Sequence, residues 1–300
     1  MASSLLPRLR PATVLTTVLA GGIATGIYSK FIMRQVHADS GPKPKKVLGG
    51  GPAFLSLPLE SSEMVSGDTK RLRFKLPTED DVSGLPLTSA VLTVSWPKGS
   101  WRPVPRPYTP VTPSDAPGHL DLVVKQYPNG RASTHLHSLT PGDKLLFALP
   151  IAGPRWTPSA DPGTHVTLIA GGAGITPVFQ LAQGILRNPD DKTAITLVYG
   201  ANTDRDVLLK RELDAFEREF PGRFRAVYTV SRPGEGSPYR KGRVTKELLQ
   251  EVAPPASGSS HVYLCGPPAM EESLAGQFKW GSPLGILAEL GYRKNQIHRF

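Results

Sequence analysis

One cysteine, Cys265, stands among 300 residues. That excludes an intrachain disulfide and a thiolate metal cluster, and it suits a reducing compartment. No basic stretch is interleaved with aromatics and no nucleic-acid motif occurs, so nucleic acid is not an expected partner. Acidic residues are absent before Asp39, and no internal repeat runs through the chain. The net charge of +10 is either a solvated basic surface or an attraction to acidic partners: a dinucleotide, an anionic lipid face or an acidic protein.

Hydrophobic residues supply 39% of the chain, enough for ordinary cores, and the length suits about two domains. The 30 Gly and 31 Pro imply many turns between short elements. Residues 1–35 read differently from the rest. Arg8 and Arg10 precede an apolar or small-residue run from Pro11 to Ser29, followed by Lys30 and Arg34. A helix of about 20 residues spans a bilayer core. A secretory signal competes, but no clear small-residue cleavage site ends the run. We read 1–35 as a mitochondrial signal-anchor, with the endoplasmic reticulum membrane as the alternative. Residues 36–52, with Gly41-Pro42-Lys43-Pro44 and a triple glycine, read as a tether.

Residues 53–155 alternate as strands do: Leu72, Phe74 and Leu76 between Arg71, Arg73 and Lys75, then Ala90, Leu92, Val94 and Trp96, then Leu120, Leu122 and Val124. Such runs predict an antiparallel barrel or sandwich. Over 163–300 apolar strands alternate with helical stretches expected at 177–187, 206–219, 245–252 and 268–276. This pattern predicts a parallel sheet covered on both faces.

Four motifs carry candidate chemistry. Arg106-Pro107-Tyr108-Thr109-Pro110 offers a cation, a flat aromatic and a hydroxyl, with Arg106 and Tyr108 on one face of a strand. Standing alone it is an ordinary strand edge. Lys125-Gln126-Tyr127-Pro128-Asn129-Gly130-Arg131-Ala132-Ser133-Thr134 is a glycine turn whose backbone N–H groups can converge on a phosphate, or else a plain hairpin turn. Ala170-Gly171-Gly172-Ala173-Gly174-Ile175-Thr176-Pro177 follows an apolar strand and opens a helix. Thr176 is expected to cap that helix and Pro177 to start it. Cys265-Gly266-Pro267-Pro268-Ala269-Met270 again joins a strand end to a helix start. No His or Asn is placed to make Cys265 a nucleophile; it is an inert buried thiol or a wall of a ligand site.

In this order and spacing the motifs resemble the NADH–cytochrome b5 reductases, especially the fungal mitochondrial outer-membrane form, from about Phe54 to Phe300. The resemblance implies a ferredoxin reductase-like pair: an antiparallel FAD barrel, then an α/β nicotinamide-binding domain. It implies electron flow from NADH through FAD to cytochrome b5 or a similar acidic haem protein. Carried over, Arg106 contacts the FAD pyrophosphate, and Tyr108 and Thr109 face the flavin. Lys125, Tyr127, Gly130, Ser133 and Thr134 belong to the flavin site, with Ser133 and its neighbours on phosphate oxygens. Thr176 sits between flavin and nicotinamide, with Pro177 beside it, and Gly172 and Gly174 leave room for the dinucleotide. Cys265, Gly266, Pro267 and Met270 line the nicotinamide pocket, and Phe300 closes the chain as the family does. Thr109, Thr176 and Cys265 are the catalytic candidates. No metal is expected.

Two departures stand out. Leu149 occupies a place where the family usually has glycine before proline, which would weaken FAD binding if the glycine is needed there. Ser231-Arg232, with Arg240 and Lys241 nearby, stands where the family often has an acidic residue: either NADPH can serve beside NADH, or Arg232 and Arg240 are solvated loop charges. Lys70, Arg71, Arg73 and Lys125 are expected either to dock the acceptor or to face solvent. A quinone acceptor, or an anchored binding protein without electron transfer, are the competing functions.

Overall fold

The computed structural model describes residues 43–277 and 285–300. Lys45–Phe300 forms one compact unit. Its first half is a six-stranded antiparallel sheet of β1 (Leu55–Ser66), β2 (Thr69–Lys75), β3 (Ala90–Ser95), β4 (Val104–Tyr108), β5 (His119–Lys125) and β6 (Lys144–Ile151), in the order 4-3-6-1-2-5. Leu57, Leu59, Leu72, Phe74, Leu120, Leu122, Leu145 and Phe147 alternate inward and share one core. Phe74 and Phe147 meet edge to face at its centre. No ladder joins β4 to β5. The barrel expected from the alternation is therefore open along one seam, and an eight-residue helix, Arg131–Ser138, packs against β3, β4 and β5 there.

The second half is a parallel sheet of β7 (His165–Gly171), β8 (Ala194–Ala201), β9 (Phe224–Val230), β10 (Arg240–Lys241), β11 (Ser260–Cys265) and β12 (Ile297–Arg299), in the order 10-9-8-7-11-12. Its central strands are buried along most of their length, as a sheet covered on both faces requires. The helices span Ile175–Arg187, Lys210–Glu219, Lys246–Val252 and Pro268–Ala275, with a short turn of helix at Ile286–Glu289. Ile175–Arg187 buries Val178, Leu181, Ala182 and Ile185, one face at helical spacing. Gln180 on this helix donates to the Ser89 carbonyl, 3.1 Å away, tying it to the antiparallel sheet.

The tether expected over 36–52 gives way to packed chain by Lys45. Val47 and Leu48 donate backbone hydrogen bonds to Val82 and Ser83, and Leu48 is fully buried. A leucine that fills the core outweighs the freedom its Pro- and Gly-rich neighbours suggest. The expected anchor at Pro11–Ser29 lies outside the described residues. Among those described, no helix is long and apolar enough to cross a membrane.

Candidate functional site

The carboxyl ends of β7, β8, β9 and β11 face the outer end of β4 and β5 across a cleft of about 1620 Å3. Single-ligand sites run to about 1,000 Å3, so this volume suits two ligands meeting end to end. Open parallel sheets bind ligands at this carboxyl edge. Every predicted site residue lines the cleft except Thr134, which is exposed on the Arg131–Ser138 helix.

Arg106, Tyr108 and Thr109 come from β4 and the residue after it. Three prolines surround them because β4 is an edge strand whose outer side needs no ladder donors. The side chain of Arg106 is exposed, with one guanidinium N–H donating to the Pro105 carbonyl at 2.8 Å. Burial pushes the Tyr108 hydroxyl up to about 12, against the pull of the Arg106 charge, so it stays a neutral donor.

Beyond β5, Tyr127 and Gly130 turn the chain into the Arg131–Ser138 helix. That helix was not expected; eight residues with two histidines carry little helical signal. Ser133 does not offer a free hydroxyl to a phosphate. Its Oγ donates to the Gly130 carbonyl (3.0 Å) and accepts from the Tyr127 N–H (3.2 Å), pinning the turn instead. The helix N-terminus itself faces the cleft at Gly130 and Arg131 and supplies the anion-seeking end.

On the opposite wall, β7 runs into a 3-10 turn, Gly172–Gly174, before the helix begins at Ile175. Thr176 is thus not the cap, because the turn has already bent the chain three residues earlier. Its hydroxyl donates to the Ala173 carbonyl at 3.2 Å, and Pro177 falls at the third helical position, still within the first turn. Gly172 has φ +52° and open space where a Cβ would stand. The Tyr199 hydroxyl bonds the Gly172 carbonyl from beneath at 3.1 Å.

Cys265 ends β11, and Gly266 donates its N–H to Glu271 at 3.0 Å. Burial, then the nearby Glu271 charge, pushes the Cys265 thiol up to about 12. It is a neutral wall, not a nucleophile. Met270 covers Gly171 and Gly266, while Phe300 bonds back to the Leu264 carbonyl and lies 6.1 Å from the Tyr263 ring.

Ser231 and Arg232 follow β9, held by backbone bonds to Ala201 (3.0 Å) and Asn202 (2.8 Å). Arg240 is not available to them, because it pairs with Glu251. Arg131, Asn202 and Arg243 also line the cleft and were not singled out from the sequence. Leu149 does not line it; Ile151, Ala152 and Gly153 form that wall, so the departure from glycine touches no ligand space.

The expected docking cations are occupied. Arg73 holds the buried Asp121 through two bonds of 2.8 and 3.0 Å, and Arg71 lies 3.6 Å from the same carboxylate. Arg71 also reaches Glu212 on the Lys210–Glu219 helix at 2.9 Å. Lys125 bonds Asp68 (2.6 Å) and Asp206 (3.2 Å), and Lys70 donates to the His137 carbonyl. Arg71 and Lys125 therefore clasp the antiparallel half to the parallel half. They do not form a free basic patch.

Two family models match this chain: an oxidoreductase FAD-binding domain over residues 56–155 and an oxidoreductase NAD-binding domain over 168–275. NADH-cytochrome b5 reductase 2 of Pyricularia oryzae is 46% identical over 265 residues, covering 87% of this chain and 80% of its own length. The chain belongs to the NADH–cytochrome b5 reductase family. The Aspergillus fumigatus relative of the same name is 44% identical, covering 93% of this chain and 87% of its own. The crystal structure of the cytochrome b5 reductase domain of Ulva prolifera nitrate reductase superposes with a TM-score of 0.73 at 28% identity, covering 87% of this chain and all of that one. This chain is accordingly an FAD- and nicotinamide-binding oxidoreductase of that family.

The cleft fits such cofactors on its own chemistry. Arg106, Lys125, Arg131, Arg232 and Arg243 line it, against the single carboxylate of Asp206. Asp206 is itself paired with Lys125 and bonded by Thr203. A polyanion is what such a wall selects.

Proposed function

We propose that this reductase takes electrons from NADH onto FAD seated in the cleft and passes them singly to cytochrome b5 or a similar haem carrier. The continuity of the cleft carries this reading. One cavity is walled by Tyr108 and Thr109 on one side and by Thr176 and Cys265 on the other, so donor and acceptor rings share one space. Bound FAD supplies the chemistry the side chains lack, accepting a hydride and releasing electrons one at a time.

The chain's own residues bind, orient and exclude. Arg106 and the N–H groups opening the Arg131–Ser138 helix would hold the FAD pyrophosphate. Tyr108 would lie against the flavin with its proton retained. Gly172, with open space where a Cβ would stand, would admit the dinucleotide backbone, whereas Gly174 is a glycine because the Cys265 backbone fills the place of its Cβ, not to leave room for the dinucleotide as expected. Thr176, whose hydroxyl hydrogen is committed to Ala173, would present only its oxygen lone pairs to the rings. Cys265, protonated and half-buried, would close the nicotinamide pocket without reacting. No general base is needed, since hydride transfer rests on positioning.

The basic, acid-free leader and the run Pro11–Ser29 support a single-pass anchor in a mitochondrial membrane, the outer one by the family resemblance, with the endoplasmic reticulum as the alternative.

The test is anaerobic titration of the full chain, purified with FAD, by NADH, followed by addition of cytochrome b5. The flavin band bleaches with NADH and recovers as the haem is reduced. A protein that takes up no flavin, or stays yellow with NADH, would overturn the reading. Recovery with a quinone but not with the haem protein would move the acceptor.

A further inference from the structure

The far end of the cleft, beyond the glycine turn, is walled by Ala201, Asn202, Ser231, Arg232 and Arg243. A pocket that selects an unphosphorylated ribose presents a carboxylate to its hydroxyls, whereas a cation accommodates a 2′-phosphate. Here three of the acids near this wall are engaged elsewhere, and Glu235, three residues past Arg232, is exposed and does not line the cleft. Asp204 accepts from the Gly234 N–H (3.1 Å) and the Ser237 hydroxyl (2.8 Å), pinning the loop that follows Arg232. Glu251 is taken by Arg240. Asp206, the one carboxylate of the cleft, is held by Lys125 and Thr203.

The cations are placed by sheet register. β10 runs parallel to β9 with Lys241 opposite Val230, and Gly242 donates to the Val230 carbonyl at 2.9 Å. Arg232 and Arg243 each stand two residues past that last pair, where the two neighbouring segments leave the sheet. Both are exposed, both line the cleft, and no side-chain hydrogen bond or ion pair is recorded for either among the described residues. A merely solvated basic loop gives no reason for Arg240 to be paired while these two face the cavity. Two guanidiniums and the Ser231 hydroxyl match the donor needs of a phosphomonoester dianion.

We propose that Ser231, Arg232 and Arg243 form a seat for the 2′-phosphate of an NADP-type dinucleotide, so that this chain accepts NADPH as well as NADH. The inference rests on the reductase reading above and narrows its donor.

The test is calorimetric binding of 2′,5′-ADP and of 5′-AMP to the full-length, FAD-loaded protein. 2′,5′-ADP binds about tenfold or more tightly than 5′-AMP, and the ratio shrinks as salt is raised. Arg232→Gln and Arg243→Gln each lower the ratio, and the double variant brings it near one. Ser231→Asp drives it below one by facing the phosphate with a carboxylate. Melting temperatures check that each variant is folded. Equal binding of the two fragments by the unaltered protein overturns the inference; if NADH still bleaches the flavin, the reductase reading survives. Failure of both fragments to bind, with no bleaching by either nucleotide, overturns both.

Discussion

Gly174 lies so close to Cys265 that a Cβ built on it would stand 2.5 Å from the Cys265 carbonyl carbon and 2.9 Å from the Gly266 nitrogen. Backbone, not a pliable side chain, fills that space. The third and fourth motifs of the sequence are thus pressed together at the carboxyl edge of β7 and β11. Their glycine is a packing requirement, since Gly174 itself has an ordinary helical φ of −62°.

Gly174→Ala and Gly172→Ala should therefore fail differently. At Gly174 the added methyl forces β11 away from the turn, a cost of about 1–3 kcal/mol seen as a lowered Tm. At Gly172 nothing lies within 4 Å, so the strain is that of a left-handed residue, about 1–2 kcal/mol, and the methyl enters the cleft. Thermal melts paired with dinucleotide titration separate them. Gly174→Ala loses more stability than Gly172→Ala, and Gly172→Ala loses more dinucleotide affinity per degree of Tm lost. The reverse order would contradict the packing account.

The turn and the strand–helix alternation were legible because their signals are local. An apolar run, three glycines and a proline declare a strand, a turn and a helix within the twelve residues from Val166 to Pro177. The partners of the basic strand residues were not legible. Arg71 and Glu212 are 141 positions apart, and Arg73 and Asp121 are 48 apart. Strand alternation shows that Arg71 and Arg73 leave the core face, but not what they meet. Arg243 was missed for a related reason: it is placed by a two-residue strand, too short to leave a pattern. Leu48 was hidden by flexible-looking neighbours, though only its burial decides its role.

Removal of the Arg73 side chain should be a stability lesion before it is a docking lesion. Asp121 is 4% exposed, and without Arg73 only Arg71, at 3.6 Å, would stand beside its carboxylate. Arg73→Ala is expected to cost about 1–3 kcal/mol in urea unfolding, the usual penalty for stranding a buried polar partner. Arg71→Ala also loosens the clasp to Glu212, and the double variant should cost more than either single one. Second-order reduction of cytochrome b5 by the folded fraction, measured against ionic strength, completes the test. A normal Tm with a flattened salt dependence would instead mean that these guanidiniums meet the acceptor.

Acid should weaken the outer edge of the parallel sheet through a histidine pair. His261 on β11 and His298 on β12 approach to 3.3 Å between ring nitrogens, and Tyr263 stacks on His298 at 4.4 Å. Burial lowers both histidines below their usual range, and for His298 the neighbouring His261 adds to the effect. An unfolded histidine titrates near 6.5, so below that pH the unfolded chain binds protons that the folded pair resists. The contribution is complete above about pH 7 and is lost as pH falls through 6.5 towards the lower folded values. Unfolding in urea at pH 7.5 and pH 5.5 should show a drop in stability that is smaller in His261→Gln/His298→Gln than in the unaltered chain. The difference should amount to a few degrees of Tm at most, since about 1 kcal/mol moves a chain of this size by 2–4 °C. Because β12 leads directly into Phe300, the same acidification should loosen that ring against Tyr263, read as a change in near-ultraviolet circular dichroism between the two pH values. Identical pH slopes in the two proteins would show that the pair does not titrate against folding.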